Sequence, residues 1–176
     1  MIRELEWTAR TWTFDLPVRA FPALLERVRG TPVRAAALVA DVDEQLLARR
    51  PAAGGWSIKE HLGHLDDLHQ LDERRLAEFL AGAPELTAAD MGNRRTFDAN
   101  HGATPTHELI ARLAAHRKAL VAQLETLTEE QVGATAIHPR LERQMRLIDW
   151  IQFVAEHDDH HLAKARQVLR DLADES

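Results

Sequence analysis

Residues 147–172 read LIDWIQFVAEHDDHHLAKARQVLRDL, and the pattern of this stretch decides the fold. Apolar side chains recur in it at intervals of three or four residues, which is the period of an amphipathic α-helix. Asp158 continues this spacing at a point where an apolar residue is expected. The pattern predicts one long helix whose inward face consists of Leu147, Ile151, Val154, Asp158, His161, Ala165, Val168 and Leu172.

Three further helices are predicted upstream of this one. The first opens near Phe21–Pro22, because proline is favoured in the first turn of a helix. The sequence at 30–32, Gly-Thr-Pro, predicts a break or kink in it. The second begins at Ser57, a good N-cap, and Glu60 three residues later completes a capping box. The third helix is predicted to begin at Thr106.

The connection between the second and third helices is unusually long. The second helix ends at Gly82, and residues 85–105 precede the third. Long connections permit a crossover in a helical bundle, whereas short ones force antiparallel neighbours. No convincing alternation typical of a strand is present. We therefore predict an all-α, four-helix bundle with a long crossover between helices 2 and 3, in a single domain over 1–176 with residues 1–20 as an irregular N-terminal arm.

The composition excludes several classes of function. The 176 residues include no Cys, which rules out disulfides, Cys-ligated zinc, iron–sulfur clusters and thiol nucleophiles. The net charge of −6 argues against a nucleic-acid partner, since such affinity rests on neutralising phosphates. No stretch approaches the roughly 20 apolar residues of a membrane span, and no signal peptide is visible at the start. We expect a cytoplasmic protein with no membrane partner.

The chain contains ten His, an unusually high number, and two of them have the spacing of a metal-binding pair. His157 and His161 are four residues apart, so they lie on one face of the predicted helix and can bind one metal ion together. His161 falls on the apolar stripe, which directs the pair towards the bundle interior. A third ligand must come from another helix. His64 can face inward, and His61 on the same helix is its competitor.

The other histidines and the nearby carboxylates have simpler interpretations. Asp158 is either a partner that orients a metal-binding imidazole or a candidate general base, whereas Glu60 is a base candidate better explained by the capping box. Asp159 is expected on a solvated face. Ordinary structural roles are expected for His61, His69, His101, His107, His116 and His138.

Four short segments of the chain, in this order and separation, carry a further signal. They are Gly55-Trp56-Ser57-Ile58-Lys59-Glu60-His61-Leu62-Gly63-His64-Leu65, His138-Pro139, Leu147-Ile148-Asp149-Trp150 and His157-Asp158-Asp159-His160-His161. Together they resemble the DinB/YfiT family. The resemblance extends from about Phe21 to Leu172 and implies a four-helix bundle, often a homodimer, with a divalent metal held by three His. It implies that His64, His157 and His161 are the ligands, with His61 and His160 as neighbours.

The resemblance implies a function class and not one reaction. The family includes thiol-transferases that use bacillithiol and mycothiol-dependent enzymes. We expect one divalent metal ion per chain, zinc or nickel, in an open three-His site of a metal-dependent enzyme, either a low-molecular-weight thiol S-transferase or a hydrolase. The alternative is a non-catalytic metal-binding stress-response protein. A polar, solvent-reachable cavity beside the three His would favour the enzyme and a small-molecule substrate.

Overall fold

The computed structural model describes residues 2–175 and confirms the predicted four-helix bundle. The first bundle helix packs against the third and the fourth, and the second bundle helix packs against the same two. Three short helices lie in the connections: α2 (Glu44–Ala48), α5 (Arg94–Asp98) and α7 (Glu129–Val132). The bundle helices are α1 (Phe21–Val39), α3 (Ile58–Asp67) continued by α4 (His69–Leu80), α6 (Thr106–Leu124) and α8 (Leu147–Asp174).

The start of α3 follows the predicted capping box. The Ser57 hydroxyl accepts the backbone N–H of Glu60, and the Glu60 carboxylate accepts the backbone N–H of Ser57 at 2.8 Å. These two bonds satisfy amide groups that have no partner inside the helix. The reciprocal pair fixes where α3 begins, and so fixes the rotation at which His61 and His64 leave the helix.

Two predicted helix boundaries were wrong. Of the break or kink expected at Gly30-Thr31-Pro32, the break is absent, because α1 continues through Pro32. A proline inside a helix costs about 3 kcal/mol, and burial of both Thr31 and Pro32 in the bundle outweighs this local cost. The second bundle helix is interrupted instead at Leu68, which caps the end of α3 and the start of α4.

The expectation of no strands was also wrong. Residues Thr135–His138 (β1) and Arg143–Arg146 (β2) form an antiparallel hairpin in which His138 is opposite Arg143. Strands of four residues carry too little alternation to be recognised. The hairpin is tied to the start of the crossover, since the Leu86 N–H donates to the Ile137 carbonyl at 2.9 Å.

A polar layer divides the apolar core of the bundle into two clusters. The layer contains one buried polar residue from each bundle helix: Thr31 between Val28 and Ala35, Asp72 between Leu65 and Leu76, Arg117 between Leu113 and Leu120, and Asp158 between Ala155 and Leu162. Arg117 joins the layer, because it donates to Asp72 at 2.8 Å and to both oxygens of Asp158 at 2.7 and 3.1 Å. The Thr31 hydroxyl donates to Asp158 at 2.8 Å.

Within residues 2–175, no helix is both long enough and apolar enough to cross a lipid bilayer.

Candidate metal centre

Three imidazoles from two helices meet beside the polar layer. His64 lies on α3, and His157 and His161 lie one turn apart on α8. One ring nitrogen from each of the three lies within 4.8 Å of the others, and the Nε2 atoms of His157 and His161 are 3.1 Å apart. Zinc–imidazole bonds are about 2.0–2.1 Å long, so two nitrogens at this separation suit a single ion. The structure brings together the three residues that the sequence predicted.

Hydrogen bonds around His64 leave its Nε2 atom available for a metal. The Thr96 hydroxyl donates its single proton to the Asp67 carboxylate at 2.9 Å. The oxygen of Thr96 therefore accepts from the Nδ1–H of His64, 3.0 Å away. With the proton on Nδ1, the lone pair of this neutral imidazole is on Nε2. Such indirect partners fix the tautomer and orientation of metal-binding His residues.

His161 is held on both sides by other imidazoles. Its Nδ1 faces Nδ1 of His61 at 2.9 Å, while its Nε2 faces His157. A proton on Nδ1 of His161, donated to His61, leaves Nε2 free for a metal ion. His61 is thus placed as a hydrogen-bond partner of His161. The ring of His160 is edge-on to that of His161 with centroids 5.2 Å apart, and its Nδ1 lies 3.5 Å from a carboxylate oxygen of Glu4.

Burial keeps the clustered imidazoles neutral. It lowers the pKa of His64 to about 4 and that of His61 to about 3. The pKa values of His157 and His161 lie well below the usual 6.5, first because of burial and then because neighbouring imidazoles repel a second positive charge. Neutral imidazole is the form that binds metal. At neutral pH the three candidate ligands are therefore ready to bind without losing protons.

Thr96 and Asp67 are partners of the candidate site that sequence reasoning missed. Burial disfavours ionisation of Asp67, but hydrogen bonds from His101 and Thr96 outweigh it and lower the pKa of the carboxyl. His101 Nε2 lies 2.8 Å from Asp67 and its ring packs on Gly63, where an added Cβ would lie 2.3 Å from His101 Cγ. Asp67 follows His64 by three residues, a helical neighbour spacing that could have suggested it. Thr96 lies in the crossover, where no pattern indicates a partner.

Within the described chain, neither Asp158 nor Glu60, the two candidate general bases, forms a hydrogen bond to His64, His157 or His161. Asp158 is completely buried, and its bonds run to Arg117 and Thr31 in the polar layer. The hypothesis that it orients a liganding imidazole has no support in these bonds, because the guanidinium across the core occupies both of its oxygens. Glu60 caps α3 and pairs with Arg50. Asp159, as expected, lies near the surface.

Two histidines outside the centre form a second, smaller cluster. The rings of His69 and His116 stack with centroids 3.9 Å apart, and His116 Nδ1 lies 2.5 Å from a carboxylate oxygen of Asp66. His69 Nδ1 lies 2.9 Å from the Asp66 carbonyl, at the interruption between α3 and α4. These contacts are consistent with the structural roles expected for His69 and His116.

A cavity of about 550 Å³, partly open to solvent, begins at the three histidines. Two indoles flank the three histidines at the end of this cavity. Trp56 stacks on His161 with ring centroids 5.7 Å apart, and Trp7 is edge-on to His157 at 4.9 Å. The wall continues over side chains of α4, α6, the hairpin and α8, among them Asp72, Arg75, Arg117, His138, Arg140, Trp150 and Phe153. A small molecule in this cavity would contact the three candidate ligands directly.

Comparison with known proteins places the chain in a family. The sequence pattern of the DinB superfamily matches residues 27–165. The uncharacterized protein YuaE of Bacillus subtilis is 26% identical over 141 residues, which cover 72% of this chain and 85% of YuaE.

Solved structures share the fold. YfiT from Bacillus subtilis, described as a probable metal-dependent hydrolase with an unusual four-helix bundle topology, has a TM-score of 0.80 and 18% identity over 93% of this chain and 94% of its own. A mycothiol-dependent maleylpyruvate isomerase has a TM-score of 0.65 and 13% identity over 86% of this chain and 62% of the isomerase. The sequence match extends over most of the bundle, and the chain belongs to the DinB superfamily.

Proposed function

We propose that this chain binds one divalent metal ion, zinc or nickel, through His64, His157 and His161, and is a metal-dependent enzyme acting on a small molecule. The reaction is transfer of a low-molecular-weight thiol or hydrolysis. The observation that carries the proposal is the meeting of three neutral imidazoles at the end of a cavity large enough for a substrate. The descriptions of YfiT as a metal-dependent hydrolase and of the isomerase as mycothiol-dependent support the same class.

The chain's own residues prepare the site for this chemistry. His64, His157 and His161 would hold a divalent ion with one position open, and the ion would supply Lewis acidity that lowers the pKa of a water or thiol bound there. Thr96 and His61 hold the tautomers of His64 and His161, respectively. Trp7 and Trp56 cover the imidazoles with apolar surface and limit the access of water. Because the chain contains no Cys, a reacting thiol would come from the substrate.

Metal content tests the binding half of the proposal. Protein purified without chelator and then dialysed against excess Zn²⁺ or Ni²⁺ should retain about one ion per chain by elemental analysis. Single alanine substitutions of His64, His157 or His161 should abolish this retention. His107→Ala is the matched control, because His107 is exposed on α6 and should be dispensable. Retention unchanged in all three variants would refute the site.

Turnover tests the catalytic half. The metal-loaded protein should accelerate either addition of a small thiol to an electrophile or hydrolysis of an activated ester, and mass analysis of the product distinguishes the two. The acceleration should disappear in His161→Ala and remain in His107→Ala. Full metal occupancy without turnover across such a screen would favour the non-catalytic metal-binding stress-response protein. The expected homodimer and the single domain stay predictions, which sedimentation and limited proteolysis would test.

A further inference from the structure

The cavity wall away from the metal ligands contains buried N–H donors that lack partners. Among residues 2–175, the buried atoms without a hydrogen-bond partner include Arg140 Nη2, His138 Nε2 and Trp150 Nε1. All three residues line the cavity. The Leu141 N–H donates to His138 Nδ1 at 3.3 Å, so the proton of this neutral imidazole is on Nε2. A buried donor left unpaired costs about 1–3 kcal/mol, so three in one wall suggest a ligand that accepts from them.

The same wall has an excess of positive charge. Arg140 has no carboxylate partner within the described chain, and its guanidinium carbon lies 5.6 Å from the centre of the Phe153 ring. Arg75 is buried and donates to the Thr87 carbonyl at 3.0 and 2.9 Å, not to a carboxylate. Burial lowers the pKa values of both arginines, in keeping with their weak compensation. The guanidinium of Arg117, in contrast, is neutralised by the polar layer.

The acidic groups near this wall have other partners. Asp72 accepts from Arg117, and Glu78 accepts the N–H of Thr87 at 2.7 Å. Asp90 accepts backbone N–H groups of Gly92 and Arg94. Among the described residues, these bonds leave Arg140 without a carboxylate partner beside the unpaired donors, and its Nη2 has no hydrogen-bond acceptor, whereas Arg75 donates to the Thr87 carbonyl.

We propose that Arg140, His138 and Trp150 form a binding site for the carboxylate of the substrate. A guanidinium with additional N–H donors matches the oxygens of a carboxylate, and charge-assisted hydrogen bonds are about twice as strong as neutral ones. The aromatic side chains of Trp7, Trp56 and the nearby Phe153 favour an apolar body on the same molecule. The substrate class is therefore a small carboxylic acid whose other end reaches the three histidines. Its role in turnover rests on the proposed function, but carboxylate binding itself requires no metal.

Binding of an inert probe to metal-free protein tests this site directly. The protein is stripped with 1,10-phenanthroline and dialysed, and calorimetry then compares 3-phenylpropionate with its uncharged amide, 3-phenylpropionamide. The carboxylate should bind at least tenfold more tightly than the amide. Arg140→Met should remove most of this preference and leave affinity for the amide unchanged. Arg166→Met is the matched control, because Arg166 is exposed on α8 and not part of the cavity wall.

Trp150→Phe provides a second variant that keeps an aromatic ring and removes one donor. It should weaken carboxylate binding severalfold, with an unchanged circular dichroism spectrum as the check on folding. Equal affinities for acid and amide in the unsubstituted protein, or an unchanged preference in Arg140→Met, would overturn the inference. Carboxylate preference in a protein that never retains metal would leave the inference standing and refute the proposed function. Metal retention without carboxylate preference would refute the inference and leave the metal-binding half of the proposed function standing.

Discussion

Replacing Thr96 by valine removes one hydroxyl and nearly preserves the volume of the side chain. That hydroxyl links the Asp67 carboxylate, 2.9 Å away, to Nδ1 of His64, 3.0 Å away. Without it, His64 can place its proton on Nε2 and lose the ligand lone pair, and its ring is no longer oriented. Loss of such an indirect partner typically costs 10–100-fold in metal affinity. We expect the Kd for Zn²⁺ to rise by about this factor.

Competition with a chromophoric zinc chelator measures this change, and the ¹⁵N shifts of the His64 ring report its tautomer independently. The free energy of unfolding should also fall by about 1–3 kcal/mol, because Thr96 is buried and its partners lose a bond. Thr126→Val is the control, since the Thr126 hydroxyl is exposed and donates only to the nearby Gln123 carbonyl. An unchanged Kd and tautomer in a folded Thr96→Val protein would refute this role for Thr96.

Three other perturbations have expected outcomes. Burial lowers the pKa of His64 to about 4, so below pH 6.5 the unfolded chain binds more protons than the folded chain does. Urea titrations of metal-free protein should therefore show a free energy of unfolding that falls as the pH drops from about 6.5 to 4. A free energy of unfolding that stays constant over that pH range would contradict the lowered pKa of His64. Asp158→Asn removes a carboxylate partner of the buried Arg117 guanidinium and should lower the free energy of unfolding by about 3–5 kcal/mol in the same assay. A loss below about 1 kcal/mol would be inconsistent with a structural role of this ion pair. Gly63→Ala places a Cβ 2.3 Å from His101 and should cost about 1–3 kcal/mol by thermal unfolding, whereas Gly102→Ala, with open space around it, should be neutral.

The features predicted correctly depend on neighbours close in the chain. The capping box at Ser57 and Glu60 involves residues three apart, and the pair of His157 and His161 involves one helical turn, so spacing alone defines both. The apolar stripe of α8 likewise follows from the helical period. Residue spacing left His61 and His64 as competitors, and the family resemblance favoured His64. The structure groups His64 with His157 and His161, and its role as a ligand stays a prediction.

The features that were missed depend on partners far apart in the chain. Thr96 contacts His64 across 32 positions, and Arg117 contacts Asp158 across 41, distances at which no periodic pattern exists. Continuity of α1 through Pro32 also depends on packing with distant helices. Only the three-dimensional fold shows these partners.

The pH dependence of metal binding shows how burial changes an expectation based on residue type. Free histidine has a pKa near 6.5, which by itself predicts that binding weakens as pH falls through about 6. In this fold the His64 pKa is about 4, so competition by protons begins at a lower pH. A nearly constant affinity between pH 7 and about 5.5 is therefore compatible with imidazole ligands here.

Asp158 shows why a charged residue belongs on an otherwise apolar stripe. Its bonds to Arg117 and Thr31 connect α8 to α6 and α1 at one level of the bundle. Rotation of α8 by a single residue would turn every side chain by about 100° and leave both charges buried without partners. Apolar contacts alone tolerate such a shift more easily, because they are not directional. We infer that the ion pair fixes the rotation of α8, and thereby directs His157 and His161, its close neighbours in sequence, towards His64.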